Sequence, residues 1–334
     1  MTTSTRVQPN MAEMEGAHRI VSAIAQSFAS KVVGQENLRE TMLIGLLTGG
    51  HVLLEGVPGL AKTTAARVLA DSISGGFQRI QCTPDLLPGD ILGTQIYDSS
   101  ANAFVTQLGP VHTNIVLLDE INRSSSKTQS AMLEAMEERQ TTIAGKAHKI
   151  PEPFLVIATQ NPVDQEGTYP LSEAQTDRFM LKEVLRYPSP EEEAEVIFRM
   201  DAGVFDRSVP TQPVISLQDM SQLQSITANI HLDPVLVHYM TQLVHVTRNP
   251  GQFLPDQLAR LVEYGASPRA TIAFARASRA AALLAGRNHV LPEDIRKVAT
   301  RVLRHRIILR FEALSAGVST ENVIDAVLQS VRVP

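Results

Sequence analysis

The residues best equipped for chemistry stand in two short strings about sixty residues apart. The first is Gly56-Val57-Pro58-Gly59-Leu60-Ala61-Lys62-Thr63-Thr64, which follows the apolar run HVLLE and precedes the helical pattern AARVLADSI. Its template is G-x-x-x-x-G-K-[S/T] between a strand and a helix. In such a loop, consecutive backbone N–H groups wrap a β-phosphate, and the helix start adds about half a positive charge. Lys62 brings a full charge to the β- and γ-phosphates, and the Thr63 hydroxyl is a ligand for Mg2+. Ala61 stands where the template has its last glycine, so a methyl group borders the place where backbone and phosphate approach.

The second string is the apolar run Ile115-Val116-Leu117-Leu118 ending in Asp119-Glu120. A strand buried by four apolar residues delivers two carboxylates at its carboxyl end. Asp119 suits a direct or water-mediated Mg2+ contact, and Glu120 suits a general base for an attacking water. A further apolar run ends in Thr159-Gln160-Asn161-Pro162, where the Asn161 amide can orient that water. Together these strings point to a nucleotide triphosphatase that uses Mg2+.

Those side chains need a scaffold that gathers strand ends. Five apolar runs, at 51–55, 77–82, 114–120, 154–160 and 179–185, alternate with helical patterns. Near-continuous apolar runs suit strands buried on both faces of a parallel sheet, with ligands at the strands' carboxyl ends. After Tyr187 the buried-strand pattern stops. Helical patterns follow near 191–201, 217–228, 233–247, 256–265, 269–285, 292–304 and 320–331. The reading is a mobile tail over 1–14, an α/β core over 15–187 whose first helix begins near Glu15, and an all-helical domain over 188–334.

The chain has 334 residues, 43% hydrophobic and 19% charged, a net charge of -5 and one cysteine, Cys82. That balance is globular, supplies no overall basic field for nucleic acid, and excludes a disulfide within the chain. The N-terminus lacks the pattern of a secretory signal, and no apolar run reaches spanning length, so a cytoplasmic chain without membrane insertion is expected. Residues 267–310 hold nine arginines and one lysine against Glu293 and Asp294. Its single phenylalanine, Phe274, makes no interleaved series for base stacking and tryptophan is absent, so this run is assigned to nucleotide and subunit contacts. The histidines form no zinc-binding pattern.

Six ordered strings, VVGQ at 32–35, EGVPGLAKT at 55–63, LLDEINR at 117–123, ATQNP at 158–162, EAQTDRF at 173–179 and GASPRA at 265–270, resemble the MoxR family of AAA+ ATPases over roughly residues 15–310. Some members of that family share the alanine at the Ala61 position. The resemblance implies a five-stranded parallel P-loop core of the helix-2-insert clade with a helical lid. It places Val33, Gly34 and Gln35 at the adenine and Asn161 at the first sensor position. Arg178 becomes an arginine finger reaching a neighbouring subunit, with Arg123 as a rival for that contact. Arg269 takes the second sensor position, touching the nucleotide of its own chain. A ring, as a hexamer, is implied, acting in a chaperone-like way on client proteins, with a separate partner bearing a von Willebrand factor A-type domain. Two hairpins, Ile91–Tyr97 with Phe104–Leu108 and Thr141–Ile143 with His148–Ile150, resemble inserts that face a ring axis. The alternatives are the motor subunit of a magnesium-chelatase-like complex and a nucleotide-gated scaffold with negligible turnover.

Overall fold

A computed structural model describes residues 8–162, 168–205 and 213–334. Its strands are β1 (Val52–Glu55), β2 (Phe77–Gln81), β3 (Gly93–Asp98), β4 (Ala103–Leu108), β5 (Ile115–Asp119), β6 (Gln140–Ile143), β7 (Lys146–Lys149), β8 (Leu155–Gln160), β9 (Leu181–Val184), β10 (Val262–Tyr264) and β11 (Ile308–Leu309). Five of them form one sheet in the order β2-β5-β8-β1-β9, and every pairing in it is parallel. All five carboxyl ends therefore emerge along one edge.

The interior strands show why they are apolar throughout. Ile115, Leu117, Leu155 and Ile157 face one core with the helices Met11–Lys31, Glu36–Thr48 and Lys62–Ser72. Val116, Leu118, Val156 and Ala158 face the other, against Met132, Leu133 and Met136 of the helix Ser126–Glu138. Strand β2 departs from the expectation of burial on both faces. It is an edge strand in which Ile80 is buried while Gln78, Arg79 and Gln81 are exposed. Its outer residues are consequently free to serve the site.

The tail expected over 1–14 gives way to helix at Met11. Asn10 caps that helix in a reciprocal box with Glu13, and Met14 is already buried in the core. Residues 1–7 of the expected tail lie outside the described residues. Both hairpins form with shifted bounds. Ile91 and Leu92 belong to a helical turn, Pro88–Leu92, before β3. The second hairpin turns on Ala144 and Gly145, both at positive φ, the geometry of a two-residue hairpin loop, so Lys146 begins β7.

The second domain is not wholly helical. Its longer helices span Pro190–Asp201, Leu217–Asn229, Pro234–Arg248, Pro268–Leu284, Pro292–Leu303 and Thr320–Ser330, but β10 and β11 pair antiparallel among them. The helix expected over 256–265 is one turn, Asp256–Ala259, followed by β10. At Gly265 a side chain would begin 2.3 Å from the Thr247 carbonyl oxygen, so the chain passes extended against that backbone. The alanine-rich helix Pro268–Leu284 buries Ala270, Ala273, Ala277 and Ala280, which lets neighbouring helices approach closely.

Much of the basic run at 267–310 is spent inside the molecule. Arg306, almost wholly buried, pairs with Asp177 at 2.6 Å and donates to the carbonyls of Phe179 and Met180. Arg301 pairs with buried Glu183 at 2.8 Å, and Arg279 donates to the Ile230 carbonyl. Asp177 also accepts from the Ser267 hydroxyl at 2.7 Å. Such pairs are costly to break singly, because each partner is left charged in a dry joint. They fix the lid on the sheet.

Two buried histidines make this fold sensitive to acid. His51 accepts from the Val156 N–H through Nδ1 and donates through Nε2 to the Met136 carbonyl, so both nitrogens are used by the neutral ring. Burial lowers its pKa to about 4, and burial likewise holds His305 well below the usual histidine range. Below the unfolded value near 6.5, the unfolded chain binds these protons and the folded chain does not, so stability falls as pH drops from 6.5 toward 4. For His51 alone the loss is on the order of 3 kcal/mol at pH 4. Urea unfolding at pH 7 and pH 5 is expected to show this decline, and His51→Gln is expected to be weaker at pH 7 with a flatter pH dependence. A variant with the wild-type slope would contradict the assignment.

Candidate functional site

The loop after β1 turns at Gly59, whose φ of 90° is accessible to glycine alone without strain. Ala61 caps the following helix with φ 56° and no side-chain hydrogen bond. Alanine in this left-handed conformation costs roughly 1–2 kcal/mol, so the departure from glycine is a matter of backbone strain as well as of the added methyl. With no side chain satisfying them, the first N–H groups of the helix Lys62–Ser72 are available to an anion. The Lys62 ammonium lies on the Gly56 carbonyl at 2.7 Å. Burial depresses its pKa, opposed by the charges of Asp119 and Glu120.

Loop and acidic strand end meet in one cavity of about 420 Å³. Pro58, Gly59, Leu60, Ala61, Lys62, Thr63 and Thr64 line one side, and Asp119, Glu120 and Asn161 line the other, joined by Arg79 and Gln81. Gly56 and Val57 stand behind the lining, with Gly56 acting through its carbonyl on Lys62. The Thr63 hydroxyl and Asp119 carboxylate are hard oxygen donors on one cavity, a set that fits Mg2+. The cavity therefore brings together an ammonium, helix N–H groups, an oxygen pair for a divalent ion, and a second carboxylate.

Thr159 organises the two acids. Fully buried at the end of β8, its hydroxyl donates to Asp119 Oδ1 at 2.7 Å and accepts the Glu120 N–H at 2.8 Å. Glu120 itself sits at φ 58°, a strained conformation that turns its side chain out of the strand direction. Its carboxylate accepts from Arg123 at 3.1 Å and from Gln81 at 3.4 Å. Arg123 is thus engaged within its own chain. Sequence reasoning left Thr159, Arg79 and Gln81 unassigned. The signal was present: Arg79 and Gln81 are polar at i and i+2 in a run otherwise read as buried, which marks an edge strand with one polar face.

Of the residues expected at the adenine, Gly34 and Gln35 border a second cavity of about 480 Å³ with Tyr187, Glu192, Arg304 and Glu321. Val33 is not among its lining residues. Leu185 borders this cavity and packs against Gly56 at the start of the loop.

Arg178 and Arg269 lie elsewhere. Arg178 precedes β9, and the β1–β9 register runs from Val52 opposite Leu181 to Glu55 opposite Val184. It therefore sits at the amino-terminal edge of the sheet, about 13 Å of strand away from the edge carrying the phosphate loop. Arg269 is not among the residues that line the phosphate cavity. The bond from Ser267 to Asp177 draws the start of its helix beside Arg178, and both arginines share Glu137, Arg269 at 2.5 Å and Arg178 at 3.6 Å. Glu137, at the end of the helix Ser126–Glu138, carried no sequence signal.

Comparison with known proteins agrees with this arrangement. A family described as "ATPase family associated with various cellular activities (AAA)" matches residues 51–181, and an AAA lid domain matches residues 258–327. The chain is 50% identical to Chaperone MoxR1 of Mycobacterium tuberculosis over 305 residues, spanning 91% of this chain and 79% of that one. It is 42% identical over 327 residues to YeaC of Bacillus subtilis, spanning 97% and 98% of the two chains. A crystal structure of a protein from Cytophaga hutchinsonii superposes with a TM-score of 0.90 at 43% identity, covering 96% of this chain and 97% of that one.

Removing the Thr159 hydroxyl should leave Asp119 and the Glu120 backbone each short of a partner. Thr159→Val is expected to cost about 1–3 kcal/mol of stability, as for buried hydrogen bonds to charged groups. It should also lower phosphate release more than tenfold, and Thr159→Ser should restore both. Steady-state phosphate assays beside thermal melts check this, and a valine variant with wild-type turnover would contradict it.

Proposed function

This chain belongs to the MoxR family of AAA+ ATPases, and we propose that it hydrolyses ATP with Mg2+ as a ring-forming, chaperone-like remodeller of client proteins. The observation that carries the reading is the convergence of Lys62, Thr63, Asp119, Glu120 and Asn161 on one cavity. The N–H groups of the loop and the Lys62 ammonium hold the β- and γ-phosphates. Thr63 and Asp119 would hold a Mg2+ ion, which would supply positive charge to the phosphate oxygens. Asn161 and Glu120 position a water in line with the γ-phosphate, and Glu120 accepts the proton that this water loses as the new P–O bond forms. ADP and inorganic phosphate are the products. Gly34 and Gln35, at the second cavity, suit the base.

The γ-phosphate still needs charge on its outer side. Arg178 lies at the sheet's other edge, so it suits the nucleotide of a neighbouring chain, where an arginine is worth a large factor in rate. Arg269 shares that edge through its pair with Glu137. A closed ring satisfies every site in this way, since each chain offers one edge to each neighbour. Each turnover then moves one chain against the next, and the β3–β4 hairpin, with Tyr97, Phe104 and Val105 exposed, offers an apolar surface to a client.

Glu120→Gln is expected to bind ATP while losing phosphate release by at least a hundredfold. Arg178→Ala is expected to be similarly inactive alone. Mixed under conditions of verified co-assembly, the two should regain turnover above either alone, because a Glu120→Gln chain still lends its Arg178 to an intact site. No regain would remove Arg178 from the trans role, and unchanged turnover in Glu120→Gln would remove Glu120 from catalysis.

A further inference from the structure

Asp119 is the carboxylate assigned to Mg2+, yet a cation of the protein already holds it. Arg79, reaching in from edge strand β2, donates through both Nε and Nη2 to Asp119 Oδ2, at 3.0 and 2.6 Å. The other oxygen, Oδ1, takes the Thr159 hydroxyl. The carboxylate is only 13% exposed, so little of its surface is left for water. Arg79 also donates through Nη2 to Gln81 Oε1 at 2.7 Å, which steadies the guanidinium from the strand's own polar face. Gln81 Nε2 in turn reaches Glu120. Arg79 lines the same cavity as Lys62 and Thr63, so it is part of the site's wall and not a remote surface pair.

The charges explain why such an arrangement is stable without nucleotide. Lys62, Arg79 and Arg123 offset Asp119 and Glu120, and an acidic pair at a strand end would otherwise repel across a partly dry cavity. A divalent ion brought to Asp119 changes that balance. It would meet a guanidinium at ion-pair distance, and two like-signed centres of charge two and one at about 5 Å repel strongly even with extensive solvent screening.

We propose that Arg79 is a built-in counter-cation for Asp119 that competes with Mg2+, so that the affinity for Mg2+-bound nucleotide is set partly by the release of this arginine. The proposal rests on the ATPase reading above and deepens it. Arg79 is a positioning residue, acting on the metal through Asp119. Displacing it also takes a partner from Gln81, so arrival of the ion is transmitted toward Glu120.

The test is calorimetric binding of adenylyl imidodiphosphate, a non-hydrolysable ATP analogue, in excess Mg2+ and in EDTA. In Mg2+, Arg79→Met is expected to bind the analogue about tenfold more tightly than wild type, the scale of the removed repulsion. In EDTA it should bind no more tightly. Arg79→Lys keeps the charge without the two-point grip and should fall between them in Mg2+. No tightening of Arg79→Met in Mg2+, or equal tightening in EDTA, would overturn the proposal. Asp119→Asn separates the two levels of the argument. If it abolishes the gain in affinity that Mg2+ gives wild type while Arg79→Met matches wild type, Arg79 alone is misassigned. If the gain survives in Asp119→Asn, the metal reading of Asp119 fails and the Arg79 proposal falls with it.

Discussion

All five strands of the central sheet point the same way, and this polarity divides the molecule into two edges with different chemistry. At the carboxyl edge the chain leaves β1, β5 and β8 through the phosphate loop, the acidic pair and Asn161. At the amino edge lie the segment before β9 with Arg178 and, drawn to it by Asp177, the start of the helix bearing Arg269. A parallel sheet cannot fold its two ends onto each other. The proposed sharing of each site between two chains therefore rests on topology, which itself follows from apolar strands joined by helical crossovers.

The joints between sheet and lid are built to hold this division. Arg306 is clamped by Asp177 and by backbone carbonyls of the chain entering β9, while Arg301 meets Glu183 within β9 itself. The strand that follows Arg178 is thus tied to the lid both before its start and within it. It lies beside β1, whose end begins the phosphate loop. At the cavity the same economy of contacts recurs. One hydroxyl, Thr159, sets both acids, and the basic residues Arg79 and Arg123 each satisfy one of them.

The elements that could be read from the sequence are those with strong local causes. Buried strands are apolar without interruption, the phosphate loop is fixed by glycine and lysine spacing, and the acidic pair must follow its strand. All of these are short-range. What escaped the reading depends on contacts far apart in the chain. The pairing of β10 with β11 joins segments more than forty residues apart and has no periodic signature of its own. The start of the helix bearing Arg269 is tied down by Asp177, which the sequence shows only as a residue beside Arg178. Glu137 and Thr159 are ordinary helix and strand residues until the fold brings charges to them. The first helix, by contrast, was legible in more detail than the reading used. Asn10 and Glu13 form a capping signature that places its start at Met11.

Lys62 offers the most direct test of the account as a whole. Its ammonium rests on the Gly56 carbonyl, a placement that suits a charge waiting for phosphate. A crystal structure determined with Mg2+ and adenylyl imidodiphosphate should show Lys62 Nζ within hydrogen-bonding distance of β- and γ-phosphate oxygens. The N–H groups at the start of the helix Lys62–Ser72 should face the β-phosphate, with Asp119 on the metal's side. A nucleotide seated outside this cavity, or phosphates that Lys62 does not touch, would contradict it.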